Sequence, residues 1–200
     1  MAHVPAAERR RQIIEAAARV IGREGVAKAT TRRIGAEANA NIGTLHYTFG
    51  SKEDLLDATF AYCWDVASEI VDAAVAVGAG PNGTAREMLT RYVELAIADP
   101  DLIAAQYQLL NWAVVDETRS GAAIGVMRRL DELVEQGLQR AGWSEDLSVT
   151  RERFARIVGS VLDGILLRFV VARSEEKLRA DLATAIELVD AAFVGVAATR

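Results

Sequence analysis

Between Thr30 and Phe49 the chain reads TTRRIGAEANANIGTLHYTF, two short helical stretches separated by three residues. Threonines able to cap a helix open the first stretch, and Ile34 and Ala38 lie four apart on one of its faces. Asn39 is among the few non-glycine residues that tolerate the left-handed backbone a turn this tight requires. Asn41 is a capping residue for the second stretch, where Leu45 and Phe49, four apart, face inward against Ile34 and Ala38. That geometry turns Ile42, Gly43, Thr44, His46 and Tyr47 outward. A face holding Ile42 and Tyr47 beside a glycine is unlike an ordinary solvated one. Gly43 costs the helix up to about 1 kcal/mol relative to alanine, which fits a second backbone coming close. The following SKED, Ser51 to Asp54, is a near relative of the capping box and starts a long helix.

The same 3.6-residue period runs through the rest of the chain. Ile13, Ala17, Val20 and Ile21 mark a stripe from Glu8 to Glu24, and Gly25 ends it. The long helix carries Leu55, Leu56, Phe60, Trp64 and Ile70 towards Gly78. GAGPNG, Gly78 to Gly83, is the clearest punctuation. Helices are then expected near Thr84–Ala98, Asp101–Val115, Ser120–Ala141, Val149–Ala172 and Glu175–Ala198. No strand-period alternation persists. The expected fold is all-α with about nine helices: a three-helix helix-turn-helix head over residues 1–52 and a helical body over residues 53–200.

The net charge of −5 argues superficially against a nucleic-acid partner. Its partition reverses that impression. Residues 1–52 hold nine Lys/Arg against four acids, a net +5, so the other 148 residues carry −10. A basic head on an acidic body suits a head that meets phosphate. Hydrophobic residues at 51% and only 3 prolines describe a globular chain. The single Cys63 excludes an internal disulfide and reads as an inert buried thiol, and His3 and His46 leave little for a metal. With no nucleophile–base–acid arrangement, no phosphate loop and no ligand cluster, neither an enzyme nor a cofactor is expected. No apolar run approaches the roughly 18 residues of a membrane span. MAHVPAAERRRQ lacks the apolar stretch of a secretory signal, so a cytoplasmic location is expected.

TTRRIGAEANANIGTLHYTFGSKEDLL resembles the DNA-binding head of TetR-type transcriptional regulators, with the pattern T-[TV]-x-x-I-A-x-x-A-G-V-x-x-G-x-[LI]-Y-x-[HY]-F-x-[SN]-K-[ED]-x-L. The resemblance covers about fifty N-terminal residues, with glycine, aromatic, Phe, Lys and Leu in register. It implies that Thr30 or Thr31 caps the second helix and touches phosphate, and that Arg32 reaches a base edge. Thr44 would lie in the major groove with Ile42, Gly43 and His46 on the same face, and Tyr47 would contact the backbone. Lys52 would bind phosphate at the start of the fourth helix. Each role suits the residue: a helix N-terminus attracts phosphate, an arginine fork reads guanine, and an Ile42 or Thr44 methyl packs on thymine. Three departures stand out. Asn39-Ala40 replaces the usual Gly-Val, His46 replaces tyrosine, and Thr48 replaces histidine or tyrosine.

In the body, Phe154, Ile157, Val158, Val161, Leu162, Ile165, Leu166 and Phe169 form a face too wide for one buried contact. A second stripe holds Leu182, Ile186, Val189, Phe193 and Val196, and Gly159 and Gly164 would admit a neighbouring helix. The resemblance implies a two-fold four-helix bundle, with Val161, Ile165, Phe169, Leu182, Ile186, Val189 and Phe193 in the homodimer interface. Two heads about 34–36 Å apart fit successive major grooves of a palindrome. DLIAAQYQLLNWAVV is apolar nearly all round, as in a central helix. The resemblance implies that Tyr107, Asn111 and Trp112 on it, with Trp64 and Tyr92 from neighbours, line an effector cavity. The reading that results is a bacterial, ligand-responsive, homodimeric repressor of double-stranded DNA released by a small, mostly apolar effector. An activator of the same fold, or a small-molecule-binding protein that has lost operator binding, is the alternative.

Overall fold

A computed structural model describes residues 5–115, 120–144 and 149–194, with only the backbone described at 120–124, 126 and 194. Among the described residues the regular elements are nine α-helices: α1 Ala6–Glu24, α2 Thr31–Glu37, α3 Ile42–Phe49, α4 Lys52–Ala76, α5 Gly80–Ala98, α6 Pro100–Val115, α7 Ser120–Arg140, α8 Arg151–Ala172 and α9 Glu175–Val194. The all-α expectation holds. Val196, at the end of the expected second stripe, lies outside the described residues. No helix among them is long and apolar enough to cross a membrane.

Packing divides the chain into two compact units, Met1–Val66 with Asp99–Ser120, and Ala67–Ala98 with Gly121–Arg200. Helix α4 contributes residues to both. In the first unit α1 is central: Ile13, Ala17, Val20 and Ile21 are fully buried, and α6 lies along it with Ile103 and Leu109 inside. Gly22 makes that approach possible, because an added Cβ would run into the main chain of Asp101 at the start of α6. Small α2 then packs on α1 and α3 on α2, with Ile34, Leu45 and Phe49 buried.

In the second unit α5, α8 and α9 pack mutually. Phe154 is fully buried there, its ring centroid 5.3 Å from that of Trp143 and 5.5 Å from that of Phe193. The start of α5 differs most from expectation. Helix α5 begins at Gly80 and not at Thr84, so most of GAGPNG is helical. Proline lacks only an N–H that a first helical turn leaves unpaired anyway, and Pro81 sits in that turn.

Candidate nucleic-acid interface

The turn between α2 and α3 is built by its own residues. Thr30 caps α2, its hydroxyl oxygen accepting from the Arg33 amide at 3.1 Å. Asn39 adopts the left-handed backbone expected of it, with φ 48°. Asn41 caps α3 through Oδ1, which accepts from the Thr44 amide at 2.8 Å and the Thr44 hydroxyl at 3.0 Å. Ser51 and Asp54 form a reciprocal pair: the Asp54 amide donates to Ser51 Oγ at 3.0 Å and the Ser51 amide to Asp54 Oδ2 at 3.2 Å. Satisfied amides at three helix starts hold the short helices in register.

The outward face of α3 is as expected. Leu45 and Phe49 are buried, while Tyr47 is 93% exposed and Ile42 45%. His46 and Gly43 are exposed and Thr44 is half-buried. A side chain at Gly43 would meet Asn41 Oδ1 at 3.3 Å, so this glycine also spares the cap. The Thr44 hydroxyl is committed to Asn41, which leaves its methyl as the group able to meet a base. His46 Nδ1 lies 3.4 Å from the carbonyl of Gly50. Thr48 donates back to the Thr44 carbonyl at 2.7 Å, so this departure from the resembled pattern is occupied within α3. Thr31 is half-buried, whereas Arg32 is exposed and pairs with no carboxylate among the described residues. Lys52 is half-buried, and Nζ donates to the Val26 carbonyl at 3.3 Å. That contact uses one of its three donors.

Ion pairs sort the head's cations into two groups. Arg33 Nε lies 2.8 Å from Glu24 and Nη1 3.1 Å from Glu37. Arg19 and Arg23 each reach Glu37 at 3.4 Å, and Arg23 also holds Asp101 of α6 at 2.6 Å. Arg11 lies between Glu8 at 3.5 Å and Glu15 at 3.6 Å. All four acids of residues 1–52 are therefore engaged by four arginines. Arg9, Arg10, Lys28, Arg32 and Lys52 are the remaining five, and they make up the head's net +5. The partners of the paired arginines lie up to 78 residues away, so composition alone could not separate the groups.

Arg33, with further help from Arg19 and Arg23, holds the Glu37 carboxyl below the usual glutamate range. A carboxyl depressed by folding stabilises the fold above its unfolded pKa of about 4.3 and loses that contribution as pH falls through the lower folded value. Thermal unfolding followed across the acid range should show a falling midpoint below about pH 4.3, and Glu37→Gln should flatten that fall while lowering the midpoint at neutral pH. An equally steep acid loss in the variant would show that Glu37 does not carry it.

The residues expected to meet an effector are divided between the units. Trp64, Tyr107 and Trp112, half-buried, and Asn111, exposed, belong to the first. Tyr92 is 5% exposed in the second. A groove of about 440 Å³ in the second unit is lined by Ser68, Asp72, Gln136, Arg140 and Arg151, none of them singled out from sequence. Burial pushes the Cys63 thiol up to about 12, so it stays protonated at neutral pH, and Sγ donates to the Thr59 carbonyl. No cluster of His, Cys, Asp and Glu among the described residues has the grouping of a metal site.

Of the residues expected at a dimer seam, Ile165, Phe169 and Val189 are buried by their own chain. Phe193 is half-buried against Trp143 and Phe154, and Val161, Leu182 and Ile186 are half-buried. Gly159 is also internal, facing Asp131 of α7. The large apolar groups left outside on α8 and α9 are Leu167 at 50%, Val171 at 81% and Leu188 at 56%, with Gly164 open.

A capped bihelical unit that presents an exposed aromatic helix face, in a head whose surplus charge is positive, defines a helix-turn-helix protein. Residues 13–59 match the family described as bacterial regulatory proteins, tetR family. The nicotine-responsive transcriptional repressor HdnoR of Paenarthrobacter nicotinovorans is 25% identical over 170 residues, 85% of this chain and 88% of that one. The transcriptional regulator BetI of Rhizobium meliloti is 28% identical over 187 residues, 92% of this chain and 88% of that one. A TetR transcription regulator from Haloarcula marismortui has the same fold, with TM-score 0.72 at 23% identity over 92% of this chain and 98% of that one. Its N-terminal part, residues 13–59, is thus a domain of the kind found in the tetR family of bacterial regulatory proteins.

Proposed function

We propose that this protein is a ligand-responsive repressor that binds a palindromic DNA operator as a homodimer and leaves it when a small, mostly apolar effector binds. The observation that carries the reading is the exposed face of α3, with Ile42, His46 and Tyr47 outward in a head with five cations unmatched by carboxylates. Arg32, Ile42 and the Thr44 methyl face base edges. Thr30, Thr31, Gly43, His46, Tyr47 and Lys52 lie along the phosphates, with residues 1–52 as the DNA-binding part and residues 53–200 as the ligand and dimer part. Trp64, Tyr107, Asn111 and Trp112 contact the effector, while Tyr92 supports its own unit's core. Nicotine responsiveness in HdnoR supports a small-molecule effector.

The homodimer forms through the outer side of α8 and α9. Gly164, Leu167, Val171 and Leu188 are the exposed small and apolar groups there, flanked by half-buried Val161, Leu182 and Ile186. Helix α4 starts at the head and runs on to Ala76, so an effector that prefers a different α4 position changes the spacing of the two heads. Release follows only if the effector prefers the spacing that does not fit DNA.

The test is a gel shift on the DNA flanking the protein's own gene. Wild type should give a discrete shifted band, and Val171→Asp with Leu188→Asp should run as a monomer on gel filtration and lose the band. A folded wild-type dimer that shifts nothing at low salt would sink the proposal.

A further inference from the structure

The start of α1 carries a cation that the helix-turn-helix itself does not use. The Arg10 guanidinium carbon lies 4.9 Å from the centroid of the Phe49 ring, the buried anchor at the end of α3. Its neighbour Arg11 is held between Glu8 and Glu15, and Glu8 also accepts from Gln12. Arg10 is exposed and has no carboxylate partner among the described residues. The two arginines are adjacent and equally charged, yet one is neutralised on its own helix and the other is placed beside α3.

We propose that Arg10 is a DNA-phosphate contact, extending the interface from the helix-turn-helix to the first turns of α1. A cation held against a ring keeps its N–H donors available, since the ring accepts through its π face and uses no donor in the manner of a carboxylate. It is also partly ordered before binding, so less side-chain freedom is lost when a phosphate is met. The free N–H edge of a guanidinium fits the paired oxygens of a phosphate. Because Phe49 is the inward anchor of α3, the contact fixes the Arg10 charge relative to Tyr47 and His46 on the same helix. The inference rests on the DNA-binding reading above.

The experiment measures affinity for a fluorescently labelled, mixed-sequence duplex as a function of salt, which counts phosphate contacts without knowledge of the operator. Arg10→Ala should reduce the slope of log affinity against log salt by about 0.9 for each head bound, and Arg10→Lys should retain it. Arg11→Ala changes net charge by the same amount and should leave the slope near wild type, which separates a contact from a change in overall field. A wild-type slope in Arg10→Ala, or a loss of affinity at unchanged slope, overturns the proposal and leaves DNA binding intact. If wild type fails to bind the duplex even at low salt, the DNA-binding reading itself fails. Circular dichroism of each variant confirms that the helices are retained.

Discussion

Gly22→Val should lower the stability of the chain by at least about 3 kcal/mol, beyond the usual range for overpacking a core. Glycine inside a helix ordinarily costs about 1 kcal/mol relative to alanine, so by local propensity a side chain here would help. Tertiary packing reverses that sign. Gly22 is buried, and the atoms an added Cβ would strike are the carbonyl oxygen, carbonyl carbon and Cα of Asp101, all main chain. A flexible side chain would yield, but these atoms move only if the start of α6 moves. Arg23 on α1 grips the Asp101 side chain, and Gln108 of α6 donates to the Gly22 carbonyl at 3.4 Å. Shifting α6 therefore breaks an ion pair and a hydrogen bond as well. Urea unfolding of the full-length protein measures the loss, and Gly22→Ala supplies the decisive sign. An alanine variant more stable than wild type would mean that α1 and α6 are not in backbone contact.

Phe154→Ala should cost about 3–5 kcal/mol, the range for removing a fully buried phenylalanine. Phe154 has no exposed surface, and two rings lean on it, Trp143 tilted by 42° and Phe193 edge-on at 74°. Trp143 and Phe193 also meet each other, at 5.7 Å, so the three rings form a closed set. Aromatic pairs add about 0.5–1.5 kcal/mol beyond the area they bury, and truncation removes two pairs at once. Chemical denaturation followed by tryptophan fluorescence reports both the loss and the loosening around Trp143. A loss below about 1 kcal/mol would mean that the neighbouring rings close the cavity, contrary to the rigid packing expected of such a core.

The helix-turn-helix was readable because its determinants are local. Asn39, Asn41, Thr30 and the Ser51–Asp54 pair each act within three or four residues of themselves, and each makes the backbone choice its chemistry favours. Helix count and type were legible for the same reason, through apolar period. GAGPNG was misread at its boundary because punctuation residues inside a first helical turn look the same as a loop.

The outer face of α8 was not legible. Its apolar residues nearly encircle the helix, so period cannot say which side its own chain covers. Packing against α5 and α9 put Ile165 and Phe169 inside and left Leu167 and Val171 outside, two residues away in each case. Charge behaved likewise. The surplus of +5 in the head follows from counting, but which cations supply it depends on Glu24, Glu37 and Asp101 reaching particular arginines across α1, α2 and α6. The sequence by itself therefore determined an all-α chain with a capped bihelical head of positive charge, since caps, turns and period act over a few residues. Only the tertiary structure decided which arginines remain uncommitted, why Gly22 must be glycine and which apolar side chains stay exposed, because each depends on a neighbour distant in the chain.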